Sequence, residues 1–187
     1  GSNLRRAFLG VKGQLNDTWS FIAEYDFSGD DADAKDVNVS RTLGPGKLVI
    51  GQHKVPIGLN ELTSSNNITL IERSAISNLI APAWRNGLGY HGTRGALTFQ
   101  AMAFTNNLND DNDGDEPLGL GGRVVYNPDI GEGQMLHLGA SAAYEDLGDA
   151  KQMRLRERPE ARPNNGARVI DTGTIEGVES NIRFGLE

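Results

Sequence analysis

Over residues 18–27 the chain changes character at every step. Trp19, Phe21, Ala23, Tyr25 and Phe27 fall on one side of an extended segment, and Ser20, Ile22, Glu24 and Asp26 fall on the other. Successive side chains of a strand point to opposite faces, so a period of two predicts a strand with one apolar and one largely polar face. Residues 5–15 repeat the pattern, with Ala7, Leu9, Val11 and Leu15 against Arg6, Lys12 and Gln14. Residues 134–145 set Leu136, Leu138, Ala140, Ala142 and Tyr144 against His137, Ser141 and Glu145. Fainter versions occupy 35–43, 47–55, 84–92, 96–104 and 118–127, and 178–187 begins one more. No stretch approaches the ~18 consecutive apolar residues of a membrane-spanning helix. A membrane crossed by strands remains open, because each strand needs only ~9–11 alternating residues.

The connections alternate in length. Asn16 and Asp17, then Gly44, Pro45 and Gly46, then residues 92–95 and 127–133 make the short ones. Residues 28–34 are intermediate, while 56–83, 105–117 and 146–177 are long. Short turns on one side and long loops on the other are the rhythm of an antiparallel transmembrane β-barrel, an all-β fold. The insert at 57–80 is too apolar for a solvated loop, carrying Leu59, Leu62, Ile68, Leu70, Ile71, Ile76, Leu79 and Ile80. It reads as short helical turns, with Thr63, Ser64 and Ser65 as possible caps, tucked against the inner wall to form a constriction. Residues 146–177 read as a long external loop. The absence of cysteine excludes a disulfide framework and thiolate metal sites, and the net charge of −7 argues against a general nucleic-acid binder.

Three motifs invite chemistry and do not sustain it. Gly87, Gly89 and Gly92 match the dinucleotide pattern Gly-x-Gly-x-x-Gly, which requires a helix to open there, whereas Thr93, Arg94 and Gly95 lead into another alternating segment. These glycines read as permitting strand bending or close approach by the folded-in loop. Residues 109–114 imitate the start of a calcium loop, but Leu120 stands where a bidentate Glu is needed. His53, His91 and His137 are far apart in sequence and read as wall or interface residues, with no metal site and no cofactor expected. There is no nucleophile motif, and no enzyme is expected.

The cationic residues are more directive. Arg154, Arg156, Arg158 and Arg162 lie at even offsets, so in an extended segment they share one face at a spacing of about 6.6 Å. A planar, permanently charged fork suits each of them to passing an oxyanion along, while Glu157 and Glu160 stand by as alternative partners.

Several stretches resemble the phosphate-selective porin family of bacterial outer membranes. They are Arg5, Arg6 and Ala7; Trp19 through Tyr25, Asp26 and Phe27; Gly51 and Gln52 with Gly58 and Leu59; and Thr63, Ser64 and Ser65 followed by Leu70, Ile71, Glu72 and Arg73. Residues 107–115, then His137, Leu138 and Gly139, then the arginine row continue the series in order. The resemblance implies a barrel of about sixteen strands, commonly trimeric, with its third loop folded inside. It implies an outer-membrane location, lipid around the barrel and small anions such as phosphate as cargo. On this basis residues 1–187 form a single domain and an internal fragment of such a barrel, with about eight complete strands and part of a ninth. Gly1 and Ser2 read as a cloning remnant, and at least one strand is expected before Arg5.

Carried over, the anion-binding constriction comprises Arg5, Arg6, Asp36, Ser64, Ser65 and Arg73, with Arg154, Arg156, Arg158 and Arg162 as the ladder leading to it. Glu61 replaces a lysine of the phosphate-binding members, and a carboxylate there is expected to weaken phosphate selectivity. Arg5 and Arg6 cannot both face the lumen from one regular strand unless Arg5 lies beyond the ladder of hydrogen bonds. The alternatives are a general pore without phosphate selectivity and a soluble β-rich binding domain or hydrolase.

Overall fold

The computed structural model describes residues 4–110, 117–159 and 168–187. Among them, one nine-stranded sheet runs in the order β1-β2-β3-β4-β5-β6-β7-β8-β13. Its strands are β1 (Phe8–Gln14), β2 (Trp19–Asp26), β3 (Asp33–Leu43), β4 (Gly46–Lys54), β5 (Trp84–Arg94), β6 (Leu97–Phe104), β7 (Gly119–Tyr126), β8 (Leu138–Asp146) and β13 (Ser180–Leu186). Every neighbouring pair is antiparallel. β1 and β13 are both edges, so the barrel is not closed. No helix among the described residues is long and apolar enough to cross a membrane, which says nothing of strands.

The sheet is inverted relative to a soluble one. Along β8 the exposed residues are Leu138, Ala140, Ala142 and Tyr144, and the buried ones are Ser141, Ala143 and Glu145. Leu9, Val11, Ile50, Leu88, Leu120, Val124 and Phe184 are likewise exposed, whereas Ser40, Arg123, Ser141 and Glu145 are buried. Large exposed apolar patches mark an apolar partner. Here exposed apolar residues alternate with buried polar ones, the pattern of strands with one lipid-facing and one lumen-facing side. The inner face is stitched by polar contacts across strands. Ser20 and Ser40 hydroxyls lie 2.8 Å apart, and the Arg123 guanidinium donates to Glu187 at 2.7 and 2.8 Å and to Gln100 Oε1 at 3.1 Å.

The longest connections, 55–83, 105–118 and 147–179, leave one end of the sheet, and the tight turns 44–45 and 95–96 leave the other. One boundary differs. β8 begins at Leu138 and not at residue 134, because Gly131 and Gly133 adopt positive φ and the Gln134 N–H closes a turn onto the Gly131 carbonyl. Pairing with β7 starts only at Tyr126 with Leu138.

The apolar core lies on the inner face, beneath the inserted loop. Val55 and Ile57, immediately after β4, pack with Met102 and Phe104 of β6 and Ala143 of β8, with Ala81 against the cluster. The Val55 N–H donates to the Ala83 carbonyl and closes the base of the loop, and the Gly58 N–H donates to Ser141 Oγ. The wall makes room by omission. A β-carbon on Gly121 would stand 2.7 Å from Val55 Cγ1. The loop contains α1 (Leu59–Leu62) and α2 (Ala75–Ile80), so the expected helical turns are present.

Their capping and burial depart from expectation. Thr63 ends α1, its N–H and hydroxyl both donating to the Leu59 carbonyl, and Ser74 caps the start of α2 by accepting the Ser77 N–H. The apolar residues that drew attention to the loop are also not its anchor. Leu59, Leu70 and Ile76 are exposed along the loop's other flank, beside Phe184 and Leu186 of the β13 edge, and Ile71 is exposed as well.

Phe104 is 1% exposed. Phe104→Ala is expected to lower the unfolding free energy of the refolded full-length protein by about 3–5 kcal/mol, read by denaturant titration in detergent. Gly121→Val is expected to lift the loop from the wall and open residues 55–83 to limited proteolysis while the strands remain protected.

Candidate functional site: a charged cavity under the inserted loop

The inserted loop and the inner faces of β2 to β6 line a half-open cavity of about 610 Å³. Arg5, Arg6, Asp36, Ser64, Ser65, Arg73 and Glu61 all line it, although they come from the N-terminal segment, β3 and the loop. Residues separated by up to 68 positions are thus brought to one space by strand pairing and by the folding-in of 55–83.

Within the cavity the cations are held by carboxylates of the same chain. Arg5 Nε lies 2.7 Å from Glu72 Oε1, and Arg6 donates to Glu72 Oε2 at 2.9 Å and to the Ile71 carbonyl at 3.0 Å. Both arginines reach inward because β1 starts at Phe8, which leaves residues 5 and 6 before the regular strand and free of its alternation. Burial lowers the Arg6 pKa, Glu72 opposing the effect.

Arg73, 8% exposed, donates to the carbonyls of Asn60 at 2.9 Å and Thr63 at 2.7 Å, and its Nε stands 3.6 Å from Glu61 Oε2. Glu61 is itself 5% exposed, with Lys54 Nζ 2.9 Å from Oε1 and a second Lys54 contact to the Glu61 carbonyl. Glu61 is therefore not a bare negative charge facing the lumen but one enclosed by Lys54 and Arg73. A buried charge left unpaired is costly, so removing either partner acts on the loop as well as on the cavity.

Opposite the loop, Trp84 lies under two ammonium groups, Lys54 at 4.6 Å and Lys35 at 5.2 Å from the ring centroid. Its Nε1 donates to Asp36 Oδ2 at 3.1 Å. Asp36 is thereby fixed at the cavity wall. Counted by side chain, six cationic residues (Arg5, Arg6, Lys35, Lys47, Lys54, Arg73) and four acidic ones (Glu24, Asp26, Asp36, Glu61) line the space. The excess is positive and modest.

The arginine row starts in an extended segment and is tied down by short strands. β9 (Gln152–Met153) pairs with β12 (Ile175–Glu176), and β10 (Arg156–Glu157) pairs with β11 (Ile170–Asp171). Arg154 and Arg156 are exposed, Glu157 is buried and Arg158 is half-buried. Arg154 forms a two-pronged contact with Asp171 at 2.7 and 2.6 Å. Arg158 lies in the same segment, while Arg162 falls outside the described residues. β10 touches α2, so the row approaches the inserted loop.

Residues 111–116 of the calcium-like stretch also fall outside the described residues. Asn109 instead binds the Ala34 backbone in both directions. The Gly-x-Gly-x-x-Gly stretch lies inside β5, with no helix following it.

The profile of the family described as "Phosphate-selective porin O and P" matches residues 1–187. The chain belongs to that family. It is 31% identical to an uncharacterized protein of Caulobacter vibrioides over the whole of this chain and 40% of that protein. It is 30% identical to Porin O of Pseudomonas aeruginosa over 82% of this chain and 38% of that protein. The chain thus spans about two fifths of the length of these relatives. Membership of this porin family implies a bacterial outer-membrane protein.

Three side chains of this porin segment, Lys54, Glu72 and Arg168, were not among the expected site residues. Lys54 ends β4, where alternation stops being informative. Glu72 sits beside Arg73 in an irregular stretch, and nothing local points to Arg5 and Arg6. Arg168 lies near enough to Arg156 and Arg158 to feel both charges, because β11 folds back on β10.

The Arg154 guanidinium holds the Asp171 carboxyl at about 2, below its ordinary 3.8. A depressed folded-state pKa means the contact's contribution is present above about 3.8 and is lost as pH falls towards 2. We expect carboxyl NMR to follow Asp171 titrating near 2 in the native chain and higher in Arg154→Ala, where the Gly173 N–H and Arg156 still favour the carboxylate. Equal midpoints in the two proteins would contradict the pairing.

Proposed function

We propose that the complete protein is a passive outer-membrane diffusion pore with a preference for small anions, phosphate and related oxyanions among them. Family membership speaks for a channel and not for an enzyme. The observation that carries the reading is the cavity on the inner face, where Arg5, Arg6, Lys54 and Arg73 meet the hydroxyl-bearing Ser64 and Ser65 beneath a loop that narrows the passage. An ion crossing such a space exchanges part of its hydration shell for guanidinium and hydroxyl donors, and must be bound weakly enough to leave. Glu61, Glu72 and Asp36 supply that weakening by competing for the same cations. The row Arg154, Arg156, Arg158 and Arg162 serves in this reading as the approach from the long-loop side. We further propose that the barrel closes with additional strands to about sixteen, is bounded by outer-membrane lipid, and assembles as a homotrimer. Porin O of Pseudomonas aeruginosa carries the porin function in its name, which supports the reading for this chain.

A second reading is favoured by the same ion pairs. With Arg5 and Arg6 engaged by Glu72, and Lys54 and Arg73 by Glu61, the cationic excess is small enough for a general pore without phosphate selectivity.

Single-channel reversal potentials of the full-length protein in a salt gradient separate the two. A shift towards the anion potential supports the first, and a cation preference overturns it. Glu61→Gln frees Lys54 and Arg73, and is expected to increase anion preference by several-fold and strengthen phosphate block of chloride current. Arg73→Ala is expected to weaken that block. Unchanged block in both variants would remove these residues from the ion's path.

A further inference from the structure

His53 and His91 line the same cavity but take no part in the ion pairs around the loop. His53 lies on β4 and His91 on β5, and their ring centroids are 5.4 Å apart at an interplanar angle of 56°. The Nε2 atom of each is buried without a hydrogen-bond partner. The two atoms converge: where a β-carbon on Gly89 would sit, His53 Nε2 is 2.5 Å away and His91 Nε2 is 3.1 Å away. Glycine at position 89 is what leaves that point open.

Buried polar atoms without partners are rare and ask for an explanation. We infer that His53 and His91 bind a late divalent transition-metal ion, of the Cu²⁺, Ni²⁺ or Zn²⁺ class, through their two Nε2 atoms over Gly89.

The tautomer of His53 is already suited to this. Its Nδ1 lies 3.0 Å from the Gly51 carbonyl, an acceptor that places the proton on Nδ1 and leaves the Nε2 lone pair aimed into the gap. His53 is only 4% exposed, so its ring is held in place by what surrounds it. His91 Nδ1 lies 3.5 Å from the Gln100 amide. Ligation through Nε2 puts the His91 proton on Nδ1, and a half-turn of that amide presents Oε1 to receive it. Such a turn gives up the Arg123 contact to Oε1 while Arg123 keeps both contacts with Glu187, so metal binding competes with the Arg123–Gln100 hydrogen bond. Imidazole nitrogen selects late transition metals over Mg²⁺ or Ca²⁺.

The test is calorimetric titration of the full-length protein in detergent with NiCl₂, alongside His53→Asn, His91→Asn, Gly89→Ala and His137→Asn. It reads metal binding directly and is therefore independent of the ion preference proposed above. The expected result is a site whose affinity falls at least about tenfold in the first three variants and is unchanged in His137→Asn. Gly89→Ala keeps both ligands and fills the space between them, so its loss of binding locates the ion. Native-like affinity in His53→Asn and His91→Asn, or no binding by the native protein below about 1 mM Ni²⁺, overturns the inference.

Discussion

Everything distinctive about this segment depends on one contact, the seating of Val55 and Ile57 on Met102, Phe104 and Ala143. A sheet whose convex face is apolar and whose concave face is polar has no core of its own. The inserted loop supplies one by pressing a few apolar side chains against the inner wall. Once it is seated there, Arg73, Ser64 and Ser65 are carried from a loop into the middle of the sheet's concavity, opposite Asp36 and Trp84. Without that contact the same residues would be a surface loop and the charged cavity would not exist.

The charge inside the cavity is arranged by competition and not by accumulation. Four cations that could strip water from an anion are each within reach of a carboxylate, Arg5 and Arg6 sharing Glu72, and Lys54 and Arg73 sharing Glu61. Each carboxylate also ties the loop to a neighbouring element, Glu72 to the N-terminal segment and Glu61 to the end of β4. The positions that set the electrostatics are the positions that hold the loop in place. A pair of this kind contributes specificity of arrangement more securely than net stability, since desolvating both partners offsets much of their attraction.

The strands were legible because their alternation is a direct imprint of two solvents, and most boundaries fall within a residue or two of the pattern. Residues 134–137 misled because Leu136 and Leu138 continue the period into a segment that β7 has no residues left to pair with. The cavity was legible only in part. Arg5, Arg6, Asp36, Ser64, Ser65 and Arg73 were gathered by resemblance, and the structure places them around one space. Lys54, Glu72 and Arg168 carried no periodic signal, since their partners are distant in sequence and their segments irregular. Glu61 lines the cavity as expected of the residue, and its pairing with Lys54 at 2.9 Å carried no signal in the sequence.

The wall under the loop is defined as much by missing atoms as by present ones. Gly121 admits Val55, and Gly89 leaves the gap into which two imidazoles point. A methyl added at Gly121 meets Val55 and so shifts the loop that carries Glu61, Ser64, Ser65 and Arg73. Shape and charge are therefore coupled in this architecture: the strand-side glycines that seat the loop also fix where its charged residues stand.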